Sequence, residues 1–264
     1  MAQETLQDVS ADRQQDKEFM ATLAKGLALL GSFDKQRPAM TLSEAAKATG
    51  FSRATARRIL RTLAELGYVV QSGREFSLSS GILKLGFAYL ATQNWIEQAS
   101  PLMRQLGEEF HESCSAAILE GTEIVYVARF PARRIMSVTL AVGTRLPAFH
   151  TSLGRIQLGF LDDAELWCRL RSLRIEAFTP STITDVQALY ERVREDHAQG
   201  FAIVDEELER GLRSIAVPVV DRAGEAIAAL NISTHSTRTT RNEMRDRFLP
   251  RLRTVAERIS ASVA

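Results

Sequence analysis

The chain of 264 residues carries 33 Lys and Arg against 32 Asp and Glu, with 45% apolar and 25% charged residues, a composition that excludes a disordered or fibrous protein. No run approaches the roughly 18 apolar residues of a spanning helix, and the first twenty residues are polar without an apolar signal core, so the chain is expected in the cytoplasm, away from membranes. Two cysteines, Cys114 and Cys168, belong to no CxxC pair; they exclude a disulfide framework, fit a reducing compartment and read as structural.

Charge is unevenly placed. Between Lys35 and Arg74, eight basic residues (Lys35, Arg37, Lys47, Arg53, Arg57, Arg58, Arg61, Arg74) meet two acidic ones (Glu44, Glu65), while the whole chain is +1, so the remainder is net acidic. A basic module on a mildly acidic body suits a polyanion partner for one part only. Within that module, Thr41-Leu42-Ser43-Glu44 has the form of a capping box and predicts a short helix, supported by Ala45, Ala46 and Ala48 and ended by Gly50. Ser52 is placed to cap a second helix, in which Ala56, Ile59, Leu60 and Leu63 fall at i, i+3, i+4 and i+7 as one apolar stripe. At about 100° per residue, Ala54, Arg57, Arg58 and Arg61 project from the other side. Two short helices joined at Gly50-Phe51 match a helix-turn-helix that lays its second helix in the major groove. Tyr68 to Gln71 and Arg74 to Leu78, around Ser72-Gly73, predict a hairpin, which makes the unit winged. Double-stranded operator DNA is the expected partner, met by Ser52, Arg53, Ala54, Thr55, Arg57, Arg58 and Arg61, with Arg74 reaching a phosphate. A protein-interaction scaffold of the same shape would not call for the arginine face.

Phe19 to Leu30, and then the segment through Leu63 to Val69, resemble the amino-terminal domain of IclR-type transcription regulators. Leu119 to Gly121, Tyr126 to Arg129, Gly143 to Ala148, Thr151 to Arg155 and Gly211 to Val219 resemble successive markers of that family's effector domain. The strings GTRLPA, TSLGR, GLRSIAVPV and AALNISTH are similar to the subgroup that controls protocatechuate, 4-hydroxybenzoate and β-ketoadipate catabolism. Residues 1–15 fall outside the resemblance and are expected as a disordered tail; for the rest it implies an α+β fold, with a winged helix-turn-helix domain over 16–79, a linker helix over 80–96 and a GAF-like effector-binding domain with a mixed sheet over 97–264. It also implies a homodimer, a small organic acid as effector, and contact with RNA polymerase if the protein is an activator. Tetramer formation and the sense of regulation stay open.

Ile82 to Leu90 is apolar on more than one helical stripe, which suits a helix covered by a second copy; burial within one chain is the alternative. Two recognition helices on one DNA face would match palindromic half-sites. In the body, strands are predicted at Ala116 to Leu119, Glu123 to Arg129, Ile135 to Val142, Phe201 to Val204, Ser214 to Val220 and Ala226 to Ser233, with helices at Asp185 to Gln199 and Arg241 to Ser262, the latter kinked by Pro250. With Asp221 to Gly224 as a hairpin loop, Val220 pairs with Glu225, Ala216 with Ala229 and Ser214 with Asn231. Ser214, Ala216, Ala229, Asn231 and Ser233 then share a small, polar face, and Ile215, Val217, Val219, Leu230 and Ile232 an apolar one.

The apolar face is expected to be core. The polar face is read as a pocket floor, since buried polar groups without partners cost about 1 to 3 kcal/mol each; a solvent-exposed sheet face is the alternative. The resemblance implies effector-contacting hydroxyls at Ser214 and Ser233, with Asn231 replacing a hydroxyl between them. His150, Thr151 and Ser152 precede a helix start and can receive a carboxylate, with simple capping as the alternative. Arg134 is favoured over Arg133 as a guanidinium for an acid because it adjoins Ile135-Met136-Ser137, and Met136 joins the effector set. Asp205, Glu206 and Glu207 read as a solvated acidic edge. No cofactor or metal is expected: His111, His150, His197 and His235 show no ligand spacing, there is no G-x-S-x-G elbow or P-loop, and a Ser152/His150 pair lacks an orienting acid. An enzyme on a GAF-like domain, or a regulator answering pyruvate or glyoxylate, remains the alternative.

Overall fold

The computed structural model describes residues 18–132 and 140–263. The predicted tail over 1–15, Arg133, Arg134, Met136 and most of the predicted strand Ile135 to Val142 lie outside the described residues; 140–142 are not strand. The chain forms two compact units, Met1–Ala91 and Thr92–Ala264.

In the first unit, α1 (Ala21–Leu30) is followed by β1 (Ala39–Thr41), α2 (Leu42–Thr49), α3 (Arg53–Glu65), β2 (Val69–Ser72) and β3 (Glu75–Leu78). The capping box forms: Glu44 N donates to Thr41 Oγ1 at 3.3 Å and Thr41 N to Glu44 Oε2 at 2.7 Å. Gly50 ends α2 at φ 70°, a left-handed conformation that costs glycine nothing and turns the chain into α3. Ala56, Ile59, Leu60 and Leu63 are all buried, against Leu29, Met40, Ala45, Ala46, Val69 and Phe76. The hairpin tip is Gly73-Arg74, with Ser72 opposite Glu75, and β1 adds a third strand in the order β1-β3-β2. That strand is only three residues long, too short to show a period of two.

A further helix, α4 (Leu83–Thr92), buries none of its residues; Leu83 and Phe87 are 68% and 72% exposed. The next helix, α5 (Asn94–Phe110), buries Trp95 in the core of the second unit, so the expected limit between residues 96 and 97 falls inside a helix committed to that core.

The second unit continues with β4 (Ser113–Glu120), β5 (Glu123–Phe130), β6 (Arg145–Pro147), α6 (Ser152–Leu158), α7 (Asp163–Arg171), α8 (Val186–Gln199), β7 (Ala202–Asp205), β8 (Leu212–Val220), β9 (Ala226–His235), α9 (Arg241–Glu243) and α10 (Leu249–Ser260). Its sheet, in the order β6-β5-β4-β9-β8-β7, is antiparallel at every pairing among the described residues, not mixed, because hairpins and return connections join neighbours without a parallel crossover. Ile215, Val217, Val219, Leu230 and Ile232 pack against α5 and α10, and Ala117, Ala216 and Ala229 against Leu153 and Ile156 of α6.

The β8–β9 register differs from expectation by two residues: Ser214 lies opposite Ser233 and Ala216 opposite Asn231. Asp221 N bonds Glu225 O, making the loop one residue longer than expected, and an irregularity at Val219/Val220 adds one more. An even slip preserves faces, so the polar face stands. Instead of one kinked helix before Ser262, α9 runs into a π-helical turn at Met244–Phe248, in which Leu249 N donates to Met244 O. That wider turn accommodates Pro250, which lacks an N–H and crowds the carbonyl four residues back.

Two members of the acidic edge, Asp205 and Glu207, are not solvated as expected, whereas Glu206 is only partly buried. Arg213 grips Asp205 through Nε at 2.7 Å and Nη2 at 2.9 Å. Glu207 is buried against Arg155, a fully buried arginine whose Nη1 donates to Glu207 Oε1 at 2.9 Å and whose Nη2 donates to Glu207 Oε2. The Arg155 Nε lies 3.7 Å from Asp196 Oδ2. Sequence pattern shows the acids but not the distant arginines that neutralise them. Cys114 is buried, and burial pushes its thiol up; Cys168 is exposed on α7 and is not a core residue, because the Leu166–Leu170 side of that helix faces inward.

Two predictions follow from this packing. A Cβ on Gly154 would come within 2.4 Å of the Ala148 backbone, so Gly154→Ala is expected to lower stability by about 1 to 3 kcal/mol in denaturant melts. Burial raises the Asp196 carboxyl from 3.8 to about 6 against the opposing pull of Arg155. A carboxyl that holds its proton more tightly when folded stabilises fully below its unfolded value and loses that contribution as pH rises through the folded one. Asp196→Asn should therefore gain melting temperature relative to the unmodified chain between pH 4 and 7; a constant difference across that range contradicts the assignment.

Candidate nucleic-acid interface and effector cleft

The α3 N-terminus is set by Ser52, whose Oγ accepts from Thr55 N at 3.2 Å and lies 2.9 Å from Thr55 Oγ1. Both hydroxyls are thus engaged with each other at the front of the helix. With the apolar stripe inward, Arg53, Ala54, Arg57, Arg58 and Arg61 are exposed. No ion pair restrains those arginines or Arg74 among the described residues. The arginines divide between two directions. Arg53, Arg57 and Arg61 line a groove of about 760 Å³ with Thr41, Ser43, Gln71 and the hairpin-tip Arg74, whereas Ala54 and Arg58 lie farther round the helix. Gln71 Nε2 donates to Gly73 O at 2.9 Å and stiffens the tip. A groove lined by cations and short hydroxyl side chains suits a phosphate chain, and an adjoining exposed helix face suits base edges.

In the second unit, α6 covers the alanine half of the sheet face and leaves the polar half open. The resulting cleft, about 870 Å³, is lined by His150, Thr151, Ser152, Ser214, Asn231 and Ser233, all six of the described effector candidates. Ser152 Oγ donates to Ser214 Oγ at 2.8 Å. Asn231 Nδ2 donates to Ser233 Oγ at 3.1 Å, while the buried Asn231 Oδ1 has no partner among the described residues. His150 Nδ1 is likewise buried without a partner among them. Burial, and then the charge of Arg155, lower the His150 pKa and keep its ring neutral. Thr151 has a different part: its Oγ1 accepts from Gly154 N at 3.1 Å, capping α6, so the capping alternative accounts for its hydroxyl.

The cleft also contains groups that sequence reading passed over. Tyr126 and Arg129 of β5 line it, with Arg129 Nη1 donating to Ser115 Oγ at 3.3 Å. Strict alternation from Tyr126 would turn Arg129 to the other face. The register shift at Ala116/Ala117 inserts an extra residue into β5, so Ala117 opposes Tyr126 and Ser115 opposes Arg129 on one face. The string Tyr126 to Arg129 was a marker in the sequence, but only the bulge shows where its arginine points. Burial lowers the Arg129 pKa, yet an arginine remains charged at neutral pH. At the other end, buried Glu112 accepts from Thr234 Oγ1 at 2.7 Å and from Arg238 Nε at 3.3 Å. Among the described residues, no three His, Cys, Asp or Glu side chains are grouped to hold a metal, and no helix is long and apolar enough to cross a membrane.

Comparison with known proteins places these two units together. Residues 22–73 match the IclR helix-turn-helix domain, and residues 87–261 match the bacterial transcriptional regulator IclR C-terminal domain. The chain is 43% identical over 236 residues to the Pca regulon regulatory protein of Pseudomonas putida, covering 89% of this chain and 81% of that protein. It is 32% identical over 255 residues to the p-hydroxybenzoate hydroxylase transcriptional activator of Acinetobacter baylyi, covering 95% and 94%. A crystal structure of a putative transcriptional regulator from Rhodococcus sp. RHA1 superposes with a TM-score of 0.83 at 42% identity, covering 93% and 98%. With both halves of the architecture matched in order over nearly the whole length, the chain belongs to the IclR family of bacterial transcription regulators.

Proposed function

We propose that this regulator controls aromatic-acid catabolism genes and that its effector is a hydroxylated aromatic acid or a ring-cleavage product of one. The observation that carries the reading is the pair of buried, unsatisfied atoms in the cleft, His150 Nδ1 and Asn231 Oδ1, beside the charged Arg129. A carboxylate meets the Arg129 guanidinium, a ring hydroxyl donates to Asn231 Oδ1, and Tyr126 supplies an aromatic wall. A cleft of about 870 Å³ falls within the usual range of small-molecule sites. Relatives named for the Pca regulon and for p-hydroxybenzoate hydroxylase support this chemistry. From outside the described residues, Arg134 and Met136 are proposed to complete the effector set.

The proposed assembly is a cytoplasmic homodimer in which a second copy covers the exposed Leu83, Leu85, Phe87 and Tyr89 of α4. Two copies present two α3 helices to a palindromic operator, with Arg58 reading bases and Arg53, Arg57, Arg61 and Arg74 holding phosphate. If the protein activates transcription, the dimer also contacts RNA polymerase. Effector and operator are then linked, each changing the other's affinity by the same factor.

Thermal-shift screening with protocatechuate, 4-hydroxybenzoate, β-ketoadipate, pyruvate and glyoxylate should give its largest stabilisation with one of the first three; a preference for the short aliphatic acids contradicts the reading. Arg129→Met should weaken the best of them at least about tenfold, as expected for a lost charge-assisted pair. Ser214→Val, which breaks the Ser152 contact, should lose the effector response in operator titrations while binding DNA without effector as before. Arg58→Ala should lower affinity for a duplex selected on the unmodified protein, by about tenfold for a base contact, and relax sequence preference. Arg57→Ala should instead weaken binding to all sequences alike and reduce the salt slope by about one.

A further inference from the structure

One wall of the cleft, contributed by Leu208 to Gly211 and the start of β8, is a loop between β7 and β8 whose far end is tied by Ser236 N donating to Gly211 O at 2.7 Å. Glu206 N donates to Leu212 O at 2.8 Å and Leu212 N to Glu209 O at 3.1 Å, closing its base. Glu206 itself sits at φ 60°, a left-handed conformation that a glutamate holds only when its surroundings impose it. The opposite wall is the segment His150 to Ser152, which precedes α6. A single side chain joins the two. Arg155 donates through Nε and Nη2 to Phe149 O, at 3.2 and 2.9 Å, directly before His150, and through Nη1 and Nη2 to both carboxylate oxygens of Glu207 at the root of the loop.

Arg155 is fully buried and does not line the cleft. Burying a guanidinium with its carboxylate is seldom more stable than filling the same space with apolar side chains. A forked donor does what apolar packing does not: it holds two backbone segments at set positions in two directions. Support for the loop from elsewhere is polar as well, with Thr179 Oγ1 donating to Glu206 O and Thr182 Oγ1 to Glu207 O at 2.6 Å. Taking the cleft as the effector site, we infer that Arg155 is a positioning residue for effector recognition: through Phe149 and Glu207 it sets the spacing of the two cleft walls and governs effector affinity without touching the effector.

The test uses the full chain, with protocatechuate, 4-hydroxybenzoate and β-ketoadipate as probes. Arg155→Lys keeps the charge but loses the fork; Glu207→Gln keeps the shape but loses the charge. In either variant amide exchange in residues 206–212 should quicken at least tenfold, with β8 and β9 still protected, and the strongest-binding probe should weaken at least tenfold. The double variant Arg155→Met/Glu207→Leu separates positioning from stability. It should regain part of the melting temperature that either single variant loses, the rest being withheld by the Phe149 carbonyl and the Asp196 carboxylate that Arg155 also serves, while probe affinity stays low and loop exchange stays fast. Affinity that returns together with the melting temperature, or exchange in 206–212 unchanged in the single variants, overturns the inference. Failure of the unmodified chain to bind any of the three probes counts against the effector reading alone, because loop exchange still decides whether Arg155 positions the wall.

Discussion

The effector unit is organised by a mismatch in length. Helix α6 has seven residues, about 10 Å at the rise of an α-helix, whereas β9 has ten, about 33 Å when extended. The helix can therefore cover only part of the sheet face on which it packs. It settles where side chains are smallest, over Ala117, Ala216 and Ala229, and Gly154 lets its first turn press against the Ala148 backbone. Its first residue, Ser152, still bonds Ser214; past that contact the same face presents Asn231 and Ser233, and this uncovered end is the cleft. Closeness of packing and openness of the site are two ends of one face.

Polar burial around α6 follows from the same geometry. All seven of its residues are buried, Arg155 and Gln157 among them, so each polar group must find a partner inside. Gln157 Nε2 donates to Leu153 O and Ala117 O, and Arg155 takes Phe149 O, Glu207 and the neighbourhood of Asp196. Those partners belong to β4, to the turn before α6, to the loop after β7 and to α8. A short, wholly buried helix thus acts as a polar hub between elements distant in sequence.

The DNA-binding unit depends on local interactions instead. Its capping box, left-handed glycine and i, i+3, i+4, i+7 stripe involve residues within one or two turns of each other, and its arginines are outward because the stripe is inward. The two units therefore differ in chemistry as well as place. On the reading proposed above, one presents the arginines of α3 to a polyanion, and the other offers a small ligand neutral acceptors beside Arg129, Arg210 and Arg238, which all line its cleft.

That contrast explains what could be read before the structure was known. Helices α2 and α3, the arginine face, the hairpin and the faces of β8 and β9 were determined by the sequence itself, because capping and periodicity act over a few residues and because an even register slip leaves a face unchanged. The exact β8–β9 pairing, the antiparallel sheet, the direction of Arg129 and the burial of Glu207 were decided only by tertiary structure. Each depends on a bulge or on a partner dozens of residues away: 52 positions separate Arg155 from Glu207. No local pattern encodes which distant charge will arrive to make a buried acid tolerable, and that pairing exists only once the sheet and its short helix have come together.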